Sequence, residues 1–146
     1  MMTTAREIMI NQQPDDVWRH VADIAEWPRW NGAILALKPL DGRGSPEWRV
    51  QLPGIGWALV SIHMDPETRR LTYRMRGKGA AEDGQVEVLS APDNASRVRY
   101  TIHYRGWAAW WPPLRNTAAW RLSRLKEWCE TGAVRDPWAL DTSNIL

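Results

Sequence analysis

Arg97-Val98-Arg99-Tyr100-Thr101-Ile102-His103-Tyr104-Arg105 alternates without a break: Val98, Tyr100, Ile102 and Tyr104 fall on one side, and Arg97, Arg99, Thr101, His103 and Arg105 on the other. Successive side chains of an extended strand point to opposite faces, so the run reads as a strand with one apolar and one solvated face. The pattern recurs at Arg70 to Arg76, where Leu71, Tyr73 and Met75 oppose Arg70, Thr72, Arg74 and Arg76. Trp48, Val50 and Leu52 likewise oppose Arg49 and Gln51. Strands with one face in water belong to an antiparallel sheet.

Working outward, turn residues recur between Ile34 and Arg105: Asp41-Gly42-Arg43-Gly44, Pro53-Gly54, Asp65-Pro66, Gly77-Lys78-Gly79, Asp83-Gly84 and Pro92-Asp93-Asn94. They predict six strands joined by hairpins, and Arg6 to Asn11, β-rich at Ile8-Met9-Ile10, predicts a first strand before them. Pro14-Asp15-Asp16 opens a helix, with proline and two acids in the first turn and Val17, Trp18, Val21 and Ile24 at helical spacing. Pro28 breaks it, leaving a short helical piece over Glu26 to Asn31.

A longer helix is predicted from Pro113 to Thr131, closed by Gly132. Leu114, Ala118, Leu122, Leu125 and Cys129 form its apolar stripe, with Trp128 at the border and Arg115, Arg124 and Lys126 outside it. No other element is long enough to cover the apolar face of the sheet, so the fold class is α+β. One domain is expected over residues 1–132. The remaining tail, 133–146, holds Trp138, Leu140, Ile145 and Leu146 and is expected to dock.

Composition narrows the function classes. With 146 residues, 44% of them hydrophobic, the chain can bury a sizeable core, and 19 Lys+Arg against 17 Asp+Glu leaves no polybasic or acidic tract. A single cysteine, Cys129, excludes an internal disulfide framework and a cysteine-based zinc site; a reducing setting, the cytoplasm, is the expectation. Met1 to Ile10 lacks the features of a secretory leader, and no stretch approaches a membrane span. The chain has 11 Trp, 3 Tyr and no Phe. Indoles combine a large apolar body with one N–H that needs a partner, which suits cavity walls as well as ordinary cores.

The opening, Ile10-Asn11-Gln12-Gln13-Pro14-Asp15-Asp16-Val17-Trp18, followed by Val21-Ala22-Asp23-Ile24 and Trp27-Pro28-Arg29-Trp30-Asn31, resembles the START/pollen-allergen-like (SRPBCC) superfamily, in particular its polyketide cyclase/dehydrase-like branch. Arg124-Leu125-Lys126 is similar to that branch as well, and the likeness covers roughly residues 6 to 131. The resemblance implies a helix-grip fold, in which a seven-stranded antiparallel sheet curls around the long C-terminal helix and encloses an apolar cavity. It implies binding of a hydrophobic, polycyclic aromatic or polyketide-like small molecule. Alternatives within the same resemblance are an aromatase/cyclase- or dehydrase-like enzyme and a membrane-touching lipid carrier. The interior arginine and tyrosine of the aromatase/cyclases fall at His63 and near Ala33 or Ile34, so this chain departs from their pattern.

Among candidate site residues, Trp48, Tyr73, Tyr100 and Tyr104 alternate toward the covered side, where they either line a ligand pocket or serve as core aromatics. Arg121 lies at the edge of the helix stripe between Trp128 and Leu114; it either snorkels out past Trp128 or enters the cavity to meet an anion or carbonyl. His63 is a candidate acid/base whose face alternation does not decide, since both sides of its strand are fairly apolar. An enzyme would use Arg121, His63 or Tyr100 for enolisation. Trp107, Trp110 and Trp111 precede the long helix as a cavity gate, a membrane contact, or packing for the tail.

No phosphate loop, nucleophile elbow or metal-ligand cluster is present, and His20, His63 and His103 lie on different elements, so neither metal nor other cofactor is expected. Arg70, Arg74, Arg76, Arg97, Arg99 and Arg105 read as a solvated sheet face. Nucleic acid is not expected, because the tyrosines that would stack on bases alternate to the other side.

Overall fold

The computed structural model describes residues 1–31, 34–40, 47–52 and 56–134. Strand β1 is Met2–Ile10, followed by helix α1, Pro14–Ala22, a 3-10 turn at Ile24–Glu26 and helix α2, Trp27–Trp30. Strands β2 to β7 then run Ala36–Pro39, Glu47–Leu52, Gly56–Asp65, Arg70–Gly77, Ala80–Ala91 and Ala95–Gly106, and helix α3 is Thr117–Thr131. All neighbouring strands pair antiparallel in the order β1-β7-β6-β5-β4-β3-β2. This is the helix-grip architecture of an open sheet and a long C-terminal helix.

Alternation decides which side chains meet the helices. Leu71, Tyr73 and Met75 of β5, Val86 and Val88 of β6, and Val98, Tyr100, Ile102 and Tyr104 of β7 are buried with Leu122 and Leu125 of α3 in one core. The arginines of the same strands stand on the outer face. There Asp65, Arg70, Glu87, Arg99 and Glu7 are cross-strand neighbours in one row through β4, β5, β6, β7 and β1, with charges of alternating sign. Arg99 pairs with Glu7 at 2.8 Å and Arg70 with Glu87 at 3.7 Å. Opposite charges facing each other across strands let a solvated face carry many arginines without self-repulsion.

Four sequence expectations require correction. Pro28 does not break the first helix, because α1 already ends at Ala22 and Pro28 stands in the first turn of α2. Asp83-Gly84 is not a turn: it lies within β6, and the hairpin is made at Gly77 to Gly79, where Gly79 takes φ +69°. Glycine at 84 serves a different purpose, because a Cβ there would overlap the ring of Tyr73. The C-terminal helix starts later than Pro113, since Pro112–Asn116 winds as a 3-10 segment and α-helical winding begins at Thr117. Arg124, expected on the solvated side, is buried, with Nη1 donating to Ser123 Oγ at 3.1 Å and its guanidinium 6.0 Å from the centre of the Trp120 ring.

The end of β1 is lashed to the end of α3. Lys126 Nζ donates to the Met9 carbonyl at 2.7 Å, the Asn11 N–H donates to Glu130 Oε2 at 2.7 Å, and Gln12 donates to the Cys129 carbonyl. Gly132 then ends the helix in the left-handed region, its N–H on the Trp128 carbonyl at 2.9 Å. The turns expected at 41–44 and 53–54 and the docking expected of residues 135–146 lie outside the described residues.

Candidate functional site

Four polar side chains converge in the space between sheet and α3. Arg121 projects from the middle of α3, Tyr73 from β5, Glu82 from β6 and Tyr100 from β7, all on the inward alternation of their strands. Arg121 is 5% exposed, so its charge has left solvent and does not snorkel. Its Nη1 donates to Glu82 Oε2 at 2.6 Å, to Tyr100 OH at 2.9 Å and to Tyr73 OH at 3.1 Å, while Nη2 reaches Glu82 Oε1 at 3.3 Å. The Tyr73 hydroxyl donates to Glu82 and shares a further hydrogen bond with the Tyr100 hydroxyl.

Burial sets the electrostatics of this cluster. It raises Tyr73 well above the usual phenol range, reinforced by the charge of Glu82, and it raises Tyr100 even though Arg121 acts the other way. Both phenols therefore keep their protons at neutral pH and can donate. For Arg121 desolvation is the largest influence and works against the charge, but Glu82 together with Tyr100, Tyr73 and Tyr104 outweighs it and holds the guanidinium protonated. Tyr104, two inward positions further along β7, is also raised by burial.

Beside the cluster lies a void of about 10 Å³, bounded by Trp27 and Trp30 of α2, Asn31, Ile34 and the Tyr73, Tyr100 and Arg121 side chains. That is roughly the space of one water molecule. Trp27 is fixed by its indole N–H on the Val21 carbonyl at 3.0 Å and stacks edge-on to Tyr73 at 5.9 Å. In contrast, the Trp30 indole N–H and Arg121 Nε are buried without a hydrogen-bond partner among the described residues. Two unused donors therefore stand in the walls of one small interior space.

The remaining sequence candidates lie apart. Trp48 is half-buried and packs against the core from β3, outside the lining of the void, as is buried Tyr104. His63 is exposed on the outer sheet face, in an open trough of about 800 Å³ that also holds Ser61, Thr72, Arg74 and His103. It stands on the opposite side of the sheet from Arg121. Trp107, Trp110 and Trp111 are exposed by 39%, 85% and 52% at the sheet end from which α3 is reached. Sequence reasoning missed Glu82. The signal existed, because the period of Val88, Val86 and Gly84 leads straight to it, but reading Asp83-Gly84 as a turn interrupted that period.

The family model described as polyketide cyclase / dehydrase and lipid transport matches residues 1–127. The chain belongs to this family. Among solved structures, the family member is similar to the di-domain aromatase/cyclase BexL from the BE-7585A biosynthetic pathway, at TM-score 0.70 and 20% identity over 87% of this chain and 46% of that one. It thus spans about half the length of that di-domain protein. It is also similar to TTHA0849 from Thermus thermophilus, at TM-score 0.72 and 16% identity over 90% of this chain and 99% of that one. A third similarity is to truncated norcoclaurine synthase from Thalictrum flavum, at TM-score 0.68 and 13% identity over 89% and 94% of the respective chains. No curated protein matches significantly in sequence. Identities this low establish a shared fold, and chemistry must be argued from the site.

Proposed function

We propose that this family member binds a hydrophobic, oxygen-bearing small molecule of polycyclic aromatic or polyketide type between the sheet and α3. The observation that supports the reading best is the convergence of Arg121, Tyr73, Tyr100 and Glu82 at a void walled by Trp27 and Trp30. A guanidinium and two protonated phenols offer donors to a ligand carbonyl or phenolate, and the indoles offer flat apolar walls. Because the void is small as folded, a ligand enters by displacing α2 and its two tryptophans, an element of only four residues joined by a 3-10 turn. Its buried free thiol, Cys129, fits a reducing compartment, and action in the cytoplasm is part of this reading.

Tryptophan emission tests it. A flat hydroxylated anthraquinone should change the emission on binding, and Tyr100→Phe should weaken that binding about fivefold to tenfold while sparing the unsubstituted hydrocarbon of the same shape. Unchanged emission with both ligands, or equal weakening of both, would refute the reading.

A second reading, cyclisation or dehydration of a polyketide-like chain, is favoured by one specific contact: the Tyr73 hydroxyl lies between the Glu82 carboxylate and the Tyr100 hydroxyl. Glu82 could take a proton from the carbon between two ligand carbonyls, and the C–H electron pair would move onto a carbonyl oxygen held by Arg121 and Tyr100. The resulting enolate carbon could attack a second carbonyl of the same chain, whose oxygen takes the proton back from Glu82 to become a hydroxyl. Glu82 could then take the remaining proton of the attacking carbon and pass it to that hydroxyl, so that the C–O bond breaks, water leaves and a C=C bond forms. Glu82→Gln should then stop conversion of a soluble poly-β-carbonyl surrogate while leaving anthraquinone binding within a factor of about two. Equal turnover by the two proteins would remove the enzymatic reading and leave binding alone.

A further inference from the structure

Lys38, Arg49, Leu59, Arg76, Ala81 and Arg105 are successive cross-strand partners through β2, β3, β4, β5, β6 and β7. This row crosses the outer face at the end of the sheet marked by the Gly77 to Gly79 hairpin, and it contains four cations and no carboxylate. Its composition departs from that of the row through Arg70 and Glu87, where signs alternate. With strands about 4.8 Å apart, the six positions span roughly 24 Å. Lys78 adds another exposed cation at the hairpin itself.

Apolar side chains are interleaved with these charges. Leu59 is 55% exposed between Arg49 and Arg76, and Trp57, 40% exposed, lies beneath Arg49 at 4.9 Å and Lys38 at 5.6 Å. At the other end of the row the chain passes from Arg105 into the exposed Trp107, Trp110 and Trp111. That loop is anchored, since Trp107 Nε1 donates to the Lys78 carbonyl at 2.8 Å and the Trp107 and Trp111 rings pack 5.6 Å apart. Among the described residues the nearest acids stand one row inward: Asp83 is engaged by Arg105 at 2.7 Å and Arg74 at 3.5 Å, and Glu47 also has a partner. Holding an 85%-exposed indole beside a stripe of cations is costly in water and favourable where apolar depth and negative charge meet.

We propose that this end of the sheet docks on an anionic membrane surface, with Trp110 and Trp111 seated among the headgroups and Lys38, Arg49, Arg76 and Lys78 facing acidic lipid. An aliphatic Leu59 at the centre of the row and a loop carrying the most exposed indole of the described residues suit a lipid interface better than stacked bases. The surface uses no residue of the interior cluster, so it stands or falls independently of the ligand-binding reading.

Co-sedimentation of the full chain with vesicles provides the test, comparing phosphatidylcholine alone with phosphatidylcholine containing about one third phosphatidylserine. The protein should pellet with the mixed vesicles at low salt, much less with the neutral ones, and lose binding as salt rises. Arg49→Ser with Arg76→Ser should lower partitioning on the order of tenfold or more, and Trp110→Ser should lower it several-fold with an unchanged melting curve. Arg6→Ser with Arg97→Ser removes equal charge elsewhere and should have little effect. No pelleting with mixed vesicles, equal loss from the two charge-matched pairs, or preferential binding of a single-stranded oligonucleotide through Arg49 and Arg76 would each overturn the proposal.

Discussion

Glu82 of β6 and Arg121 of α3 form an ion pair at 2.6 Å with side chains only 11% and 6% exposed, so sheet and helix are joined through a charge taken out of water. Such a pair tolerates loss of both members better than loss of one. Arg121→Met alone leaves a buried carboxylate and should destabilise by about 3 to 5 kcal/mol in urea unfolding. Adding Glu82→Leu should recover most of that loss. A double variant as unstable as the sum of the two singles would show that the pair is not a coupled unit.

Gly84 makes room for the Tyr73 ring, and Gly84→Ala should cost about 1 to 3 kcal/mol by forcing the ring or the strand aside. In combination with Tyr73→Leu the penalty for alanine should shrink. The urea midpoints of the four proteins in that cycle measure the coupling, which would vanish if the strand simply shifted outward.

Cys129 is pushed up to about 12 by burial, with the charges of Glu26 and Glu130 adding to it. The folded thiol thus keeps its proton at pH values where the unfolded one, near the ordinary 9.0, has lost it. Its contribution to stability is full below about pH 9 and declines as pH rises from there toward the folded value, by about 1 kcal/mol in the first unit. Cys129→Val should flatten that part of the alkaline stability profile. The native thiol should also react slowly with iodoacetamide at neutral pH.

Arg99 sits between Glu7 and Glu87 in the alternating row on the outer face. Arg99→Glu would place three carboxylates side by side and should destabilise by about 1 kcal/mol at low salt, with part of the loss recovered at high salt. An effect that ignores salt would point to lost packing of the arginine stem instead.

The meander was legible in the sequence because Arg97 to Arg105 and Arg70 to Arg76 keep strict alternation, and a period of two admits one reading. Tyr73 and Tyr100 were legible for the same reason, and their burial agrees with it. Arg121 was ambiguous because helical spacing gives the direction of Cβ and not the route of a long side chain. What decided its route was Glu82, a partner two strands away in sequence that periodicity of the helix cannot reveal. Glu82 itself was hidden by a local signal, since Asp-Gly usually turns a chain, whereas here the glycine answers a tertiary demand from Tyr73. His63 was undecidable because Trp57, Leu59 and the opposite set Ala58, Val60 and Ile62 are both apolar. The structure buries the second set and leaves the first exposed.

The strand order places β1 beside β7, with Met2 opposite Tyr104 and Ile10 opposite Ser96. During synthesis the first strand emerges long before its partner β7, and at about 5 to 20 residues per second the wait is on the order of 5 to 20 seconds. The hairpins from β2 to β7 can zip in sequence, but β1 and α3, lashed together at Met9 and Lys126, can join only after nearly the whole domain has been made. Until then β7 has an open edge and the apolar face lacks its cover. Closure of the sheet and its cover is therefore the last step the topology allows, and unpaired strand edge and uncovered apolar surface are concentrated in the interval before it.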